Sequence, residues 1–290
     1  MIQVIKNKYI FLVISGLLVV ASVFSIYYFG LKPGIDFAGG VAWQMQFLEK
    51  QPTREELLAI FPDAVITPQE EAEFLVRTKT ISEEEHKKLF ADLTKKFGKV
   101  EEQNFQNIGA VVGNDLRQKA VWAFVLVLLA ISFYVAFAFR KVSRPVSSWK
   151  YGVITLFTLF HDALIPAGLY AALGYFFNIE VDTNFVVAIL VVMGFSVHDT
   201  IVVFDRVREN LKTAKLDRVD FNDLVNDSVN QTMARSINTS LTLVLTLLAL
   251  LFLGPSALTY FVLTILVGTV IGTYSSIFIA SPFLTIWKGK

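Results

Sequence analysis

The chain has 290 residues, 54% of them hydrophobic and only 18% charged, with a formal net charge of +1 at pH 7. That balance leans toward the membrane class and gives no reason to expect nucleic acid as a partner. The absence of cysteine excludes disulfides, Fe–S clusters and thiolate zinc sites.

The first apolar run is Tyr9 to Phe29, preceded by Lys6 and Lys8. At about 21 residues it is long enough to span and longer than a signal-peptide core. It ends in Ser25-Ile26-Tyr27-Tyr28-Phe29 with no A-x-A cleavage site, so it reads as a retained anchor.

Residues 31–118 read as a small soluble α+β domain. Val41 to Phe47 is a strand after the Gly39-Gly40 bend, and Thr53-x-x-Glu56 is a capping box opening a helix from Arg54 to Phe61, stopped by Pro62. Ala64 to Thr67 and Glu73 to Thr80 read as strands. Ser82-x-x-Glu85 is a second capping box, opening a helix to Phe97 with Gly98 as its stop. A last strand near Val100 to Gln106 completes β-α-β-β-α-β, the ferredoxin-like order. Neither a nucleophile triad nor a metal cluster is visible in this domain.

Five further apolar runs follow: Ala120 to Phe139, Tyr151 to about Leu173, Phe185 to about Phe204, a fifth ending at Leu253 before Gly254-Pro255, and Leu258 to about Ile286. The fold expected is therefore an α-helical membrane bundle of six transmembrane helices, with the α+β domain inserted between the first two. Its divisions are 1–30 (tail and first span), 31–118 (extracytoplasmic domain) and 119–290 (spans two to six, with a cytoplasmic loop at about 207–230).

Lys and Arg in the short loops set the orientation. Arg140, Lys141, Arg144 and Lys150 lie between spans two and three; Arg206, Arg208, Lys212, Lys215 and Arg218 lie between spans four and five; Lys288 and Lys290 close the chain. The opposite short loops hold only Glu180 and Asp182 or no charge, which places both termini in the cytoplasm and residues 31–118 outside.

Asp199 is the residue hardest to reconcile with a span. It lies about 14 residues into the fourth run, roughly 21 Å from the outer edge, where an ionised carboxylate is costly. Ser196 and Thr200 flank it one turn apart. In the fifth run the stretch Leu241 to Leu253, apolar apart from Thr242 and Thr246, covers only about 20 Å, so the span must draw in residues before it. That brings Ser236, Asn238, Thr239 and Arg235 to membrane depth. Arg235, Asn238, Thr239, Thr242 and Thr246 share one helix face. Arg235 then sits only some 6 Å deeper than Asp199, within reach of a guanidinium on its flexible stem. Thr155, Thr158 and Asp162 form another stripe, beside His161. Gly268-x-x-x-Gly272-x-x-x-Ser276 is a small-residue packing face.

Several stretches resemble the SecF family of the bacterial Sec export machinery. Gly34-Ile35-Asp36-Phe37-Ala38-Gly39-Gly40 is similar to the family's G-x-D-F-x-G-G, and Val111-Val112-Gly113-Asn114-Asp115-Leu116 to its V-G-x-x-L. Gly194 to Asn210 resembles G-x-S-x-x-D-T-I-V-x-F-D-R-x-R-E-N almost throughout, and Ala234 to Ser240 resembles A-R-T-x-x-T-S. The resemblance implies a half of a heterodimer with SecD as a separate chain, related in fold to resistance-nodulation-division transporters. It also implies a bacterial inner-membrane location beside a SecYEG-type channel and its translocating polypeptide. The proton gradient, not a cofactor, would supply energy for late steps of export, with no enzymatic chemistry. Family functional residues fall on Asp199 and Arg235 as the proton relay, with Asp162, Ser196, Thr200, Asn238 and Thr239 as supporting intramembrane groups. His198 stands where the family often has Asn, and the residues assign no role to it or to His161. Two other readings weigh less: a proton-driven small-solute exporter of the same superfold would carry larger outer domains, and an aspartyl protease using Asp162 and Asp199 would carry G-x-G-D.

Overall fold

The computed structural model describes residues 2–69, 72–140, 145–213 and 219–287. Of the residues used for orientation, Lys141, Arg144, Lys215, Arg218, Lys288 and Lys290 lie outside that set. The chain divides into two units, one of residues 33–121 and one of residues 1–32 with 122–290.

The smaller unit begins with the short helix α2 (Ile35–Ala38), which follows α1 (Lys8–Phe29) in the chain. It continues as β1 (Gly40–Phe47), α3 (Arg54–Leu58), β2 (Val65–Pro68), β3 (Glu73–Thr78), α4 (Glu83–Phe97) and β4 (Val100–Ile108). The four strands form one sheet in the order β2-β3-β1-β4, with every neighbouring pair antiparallel. Strand β1 lies inside the sheet because Val41, Trp43, Met45 and Phe47 alternate onto one buried face. They pack there on Leu57 of α3 and on Leu93 and Phe97 of α4. Both capping boxes form: Thr53 and Glu56 cap α3, and Ser82 and Glu85 cap α4. Helix α3 is shorter than the sequence suggests, ending at Leu58 rather than Phe61.

Helix α5 (Ala110–Ala138) starts ten residues before the apolar run does, so the V-V-G-N-D-L segment is helical. Gly113 explains its placement. A Cβ there would fall 2.9 Å from the amide nitrogen of Gly39, so only a glycine lets the helix approach the Gly39-Gly40 bend this closely.

The larger unit holds α1, α6 (Ser148–Phe177), α7 (Thr183–Thr213), α8 (Phe221–Leu253), a 3₁₀ turn (Ser256–Leu258) and α9 (Thr259–Ser275). A π-helical turn (Ser276–Ala280) and α10 (Ser281–Ile286) complete it. Six helical stretches among the described residues are long and apolar enough to cross a membrane: α1, α5, α6, α7, α8 and residues 256–286. Helices α6, α7 and α9 carry long sets of buried residues, whereas α1, α5 and α8 leave many large apolar side chains exposed.

Small residues set the crossings, because helices in lipid associate by close packing. Gly152 of α6 faces Ser132 and Ala136 of α5, Gly168 faces Ser22 of α1, and Gly268 and Gly272 of α9 face Val192 and Ser196 of α7. The packing face expected at Gly268 and Gly272 is thus formed.

Two features depart from the sequence reading. Much of the segment expected as a loop at 207–230 is helix, since α7 runs to Thr213 and α8 starts at Phe221. Asp220 caps α8 through the amide of Asn222 (3.2 Å), and Phe221, Leu224, Val225 and Val229 make an apolar stripe in one cluster with Val207 and Leu211. The last span is also interrupted. Pro282 has no amide hydrogen for the α ladder, and just before it the chain widens into the π turn, where the Ser281 hydroxyl donates to the Ser276 carbonyl at 3.1 Å.

Candidate functional site

Among the described residues two carboxylates are buried in the larger unit, and the same two helices, α7 and α9, reach both. Asp162, near the middle of α6, has no exposed surface. Its Oδ1 lies 2.8 Å from Nδ1 of His161, and its Oδ2 accepts from Ser275 of α9 at 2.6 Å and from Ser196 of α7. Gly272 makes this possible. With no side chain of its own, it lets α9 sit against Ser196, which carries Ser275, three residues on, to the same carboxylate.

Asp199 lies three residues beyond Ser196 on α7 and is 1% exposed. Its Oδ2 accepts from Ser240 of α8 at 3.3 Å and from Thr273 of α9 at 3.4 Å. Those two hydroxyls also bond each other, at 2.5 Å. Thr200 is buried and turns its hydroxyl back to the Ser196 carbonyl (3.2 Å), while Thr155 and Thr158 likewise bond carbonyls of their own helix. His198 points away: its side chain is 65% exposed and its Nδ1 is 3.9 Å from Asp199.

Arg235 does not reach Asp199 in this structure. It is exposed on α8, with no ion pair or hydrogen bond to any described residue. Asn238, Thr242 and Thr246 are exposed beside it and Thr239 is half-buried, so the stripe expected on the fifth span faces outward. The inward face of α8 is a different one, made by Ser228, Thr232, Ser236 and Ser240 at four-residue steps.

Neither carboxylate has a Lys or Arg in contact among the described residues; both are held mainly by hydroxyls. Desolvating an ionised carboxylate costs several kcal/mol, and hydrogen bonds to a charged group return about 1.5–3 kcal/mol each. Binding a proton removes the charge and with it the desolvation cost. Sites of this kind can hold or release protons. No three His, Asp or Glu side chains among the described residues come together as a metal ion would need.

Sequence reasoning reached Asp162, Asp199, Ser196 and Thr200 but not their partners Ser240, Thr273 and Ser275. The available signal was the glycine face of the last span: Thr273 and Ser275 follow directly on Gly272.

Comparison with known proteins places the chain. Residues 88–290 match the family described as the protein export membrane protein SecD/SecF, C-terminal. A relative from Thermobaculum terrenum, named protein translocase subunit SecF, is 40% identical over 100% of this chain and 95% of its own length. The chain belongs to the SecD/SecF family. Its six apolar helices are those of a multi-pass membrane protein. The protein translocase subunit SecDF of Thermus thermophilus is 37% identical over 90% of this chain but only 35% of its own length. The crystal structure of a Thermus SecDF, described as a translocon-associated membrane protein, matches 98% of this chain with a TM-score of 0.82 at 34% identity. The chain spans 38% of that longer SecDF protein.

Proposed function

We propose that this chain is a SecF-like subunit that works beside a SecD-like chain and uses the proton gradient to promote late steps of protein export. The observation that carries the reading is Asp199, buried at the junction of α7, α8 and α9 with hydroxyls as its hydrogen-bond donors. A protonated Asp199 is content with Ser240 and Thr273. An ionised one calls for a cation, and Arg235 lies five residues before Ser240 on the same helix, about 7.5 Å along its axis. A slide and rotation of α8 would exchange the hydroxyl for the guanidinium, so that each proton bound and released moves a helix. The cycle needs no covalent chemistry.

The outward stripe of Arg235, Asn238, Thr242 and Thr246 is unsuited to lipid. A second membrane chain covers it in this reading, and fused relatives carrying SecD and SecF names in one chain supply the candidate. The bundle sits in a bacterial inner membrane next to a SecYEG-type channel, both termini cytoplasmic, since Arg140, Lys150, Arg206, Arg208 and Lys212 cluster at the span ends of one side. The smaller unit, whose strand order supports a ferredoxin-like fold, lies outside and grips or follows the emerging polypeptide.

Cells lacking this chain provide the test. Re-expressing it with its SecD-like partner should restore the part of reporter secretion that an uncoupler abolishes, and the two chains should co-purify. Full gradient-dependent secretion without the chain contradicts the reading.

A further inference from the structure

Helices α1 and α6 keep one register. Lys32 donates to Asn178 (3.0 Å), Phe29 packs on Tyr175 (4.8 Å between ring centres) and Ser22 fills the space over Gly168, each pair separated by 146 residues. Parallel helices in constant register carry that offset on, and two turns below Ser22 it pairs Ser15 with His161. Both are buried, and the Ser15 hydroxyl and His161 Nε2 are polar atoms with no hydrogen-bond partner among the described residues. Helix α9 closes the same region, with the Tyr274 hydroxyl on the Phe11 carbonyl (3.0 Å), one turn before Ser15. A third acceptor lies alongside: Pro166 has no amide hydrogen to give the carbonyl of Asp162. Buried polar groups of this kind are satisfied by water, which needs two to four such partners.

The protonation pattern follows from the donors. With the proton of His161 on Nδ1, Asp162 receives three donors, His161, Ser196 and Ser275, the arrangement of an ionised carboxylate. With Nδ1–H committed to Asp162, a neutral His161 presents its lone pair at Nε2. The pair then carries one negative charge at membrane depth, where net charge is costly. One proton at Nε2 makes it neutral overall.

We propose that His161 and Asp162 form a second proton-loading centre, in which Nε2 of His161 takes a proton from a water held against Ser15. As the N–H bond forms, an O–H bond of the hydronium breaks and neutral water remains; Nδ1–H stays on Asp162. Asp162 acts as the positioning residue that fixes the tautomer. Helix α6 itself carries the buried Tyr151, ten residues before His161. Helix α7 brings Asp199, three residues beyond Ser196. Helix α9 brings Tyr274, committed to Phe11. Helix α1 brings Lys8, seven residues before Ser15 and bonded to Thr285 (3.1 Å). Because Ser196 and Ser275 belong to the helices that also hold Asp199, loading at His161 biases the packing around the proposed relay. That consequence rests on the proton-driven reading; the site itself does not.

The chain has three histidines, so imidazole signals can be isolated. Nitrogen-15 histidine NMR of the full chain in lipid nanodiscs, with His86→Gln and His198→Asn leaving His161 alone, reads the site with no gradient applied. The expected spectrum is neutral with the proton on Nδ1 in base and doubly protonated once the site is loaded in acid. Transfer of magnetisation from water to Nε2 should be present and should be lost in Ser15→Ala. A neutral spectrum throughout, a proton resident on Nε2 at high pH, or no exchange with water overturns the proposal. Recording the same spectra with Asp199→Asn keeps the outcome separate from the fate of Asp199.

Discussion

Gly272 and Ser196 press together where α9 crosses α7: a Cβ on Gly272 would lie 2.8 Å from that of Ser196, closer than two side-chain carbons can pack. The contact serves both carboxylates, since Ser196 holds Asp162 while Thr273 and Ser275 flank the glycine's far side. Gly272→Val should therefore part α7 from α9 and cost about 1–3 kcal/mol, the usual range for overpacking. Gly194→Ala, on α7 where a Cβ meets nothing within 4 Å, should be neutral or slightly stabilising. Thermal unfolding of the purified protein in detergent compares them, and equal melting for both substitutions contradicts the crossing.

The smaller unit should fold by itself, and its C-terminal boundary should matter. A fragment of residues 33–121 retains Gly113 against Gly39, whereas one ending at residue 112 loses that contact. The longer fragment should melt cooperatively and at higher temperature. Within it, Thr53→Ala and Ser82→Ala should each cost about 0.5–2 kcal/mol as lost N-caps. The Thr53 amide bonded to Glu56 (2.9 Å) holds that carboxyl below its ordinary range. A depressed folded-state value contributes stability above the unfolded value and loses it as pH falls through the folded one. The Thr53 cap should therefore weaken only in acid below the ordinary glutamate range, and urea titrations at several pH values read this directly.

The orientation can be read on a chain without native cysteine. Lys88→Cys and Lys212→Cys both place an exposed thiol on a helix. In intact cells an impermeant maleimide should label position 88 and not position 212. Labelling of position 212 from outside contradicts the assigned topology.

The partner hydroxyls of Asp199 should act as a coupled pair. Ser240 and Thr273 bond each other as well as the carboxylate, so removing one leaves the other a changed partner. Ser240→Ala and Thr273→Val should each lower gradient-dependent secretion several-fold at unchanged membrane abundance. The double variant should fall short of the sum of the single effects, because residues of one network do not add. Strict additivity contradicts a shared role.

Span number and the two capping boxes were legible because they are local: an apolar run or an S/T-x-x-E pattern carries its own meaning. That Asp199 is buried was legible from counting along a helix of known rise. Which side chains meet it was not, because the neighbours come from helices 41 and 74 residues away in sequence. Arg235 shows the limit most clearly. Its depth follows from the short apolar stretch after it, but the rotation of α8 follows from packing. Ser236 and Ser240 turn inward while Arg235 and Asn238 turn out. The start of α8 at Phe221 was hidden by polar residues that dilute its apolar stripe. The π turn has its local mark in Pro282, which an otherwise apolar run obscures.

The central claim is that Asp199 carries the proton, and Asp199→Asn tests it most directly. The amide is nearly isosteric, can still accept from Ser240 and Thr273, and removes a buried charge, so the protein should accumulate normally. Secretion of a reporter should be measured in cells relying on the variant, with and without an uncoupler, and membrane levels checked by blot. The account predicts wild-type abundance and loss of the uncoupler-sensitive fraction of secretion, with the same loss for Arg235→Ala. Full uncoupler-sensitive secretion by Asp199→Asn at normal abundance would show that Asp199 is not the proton carrier.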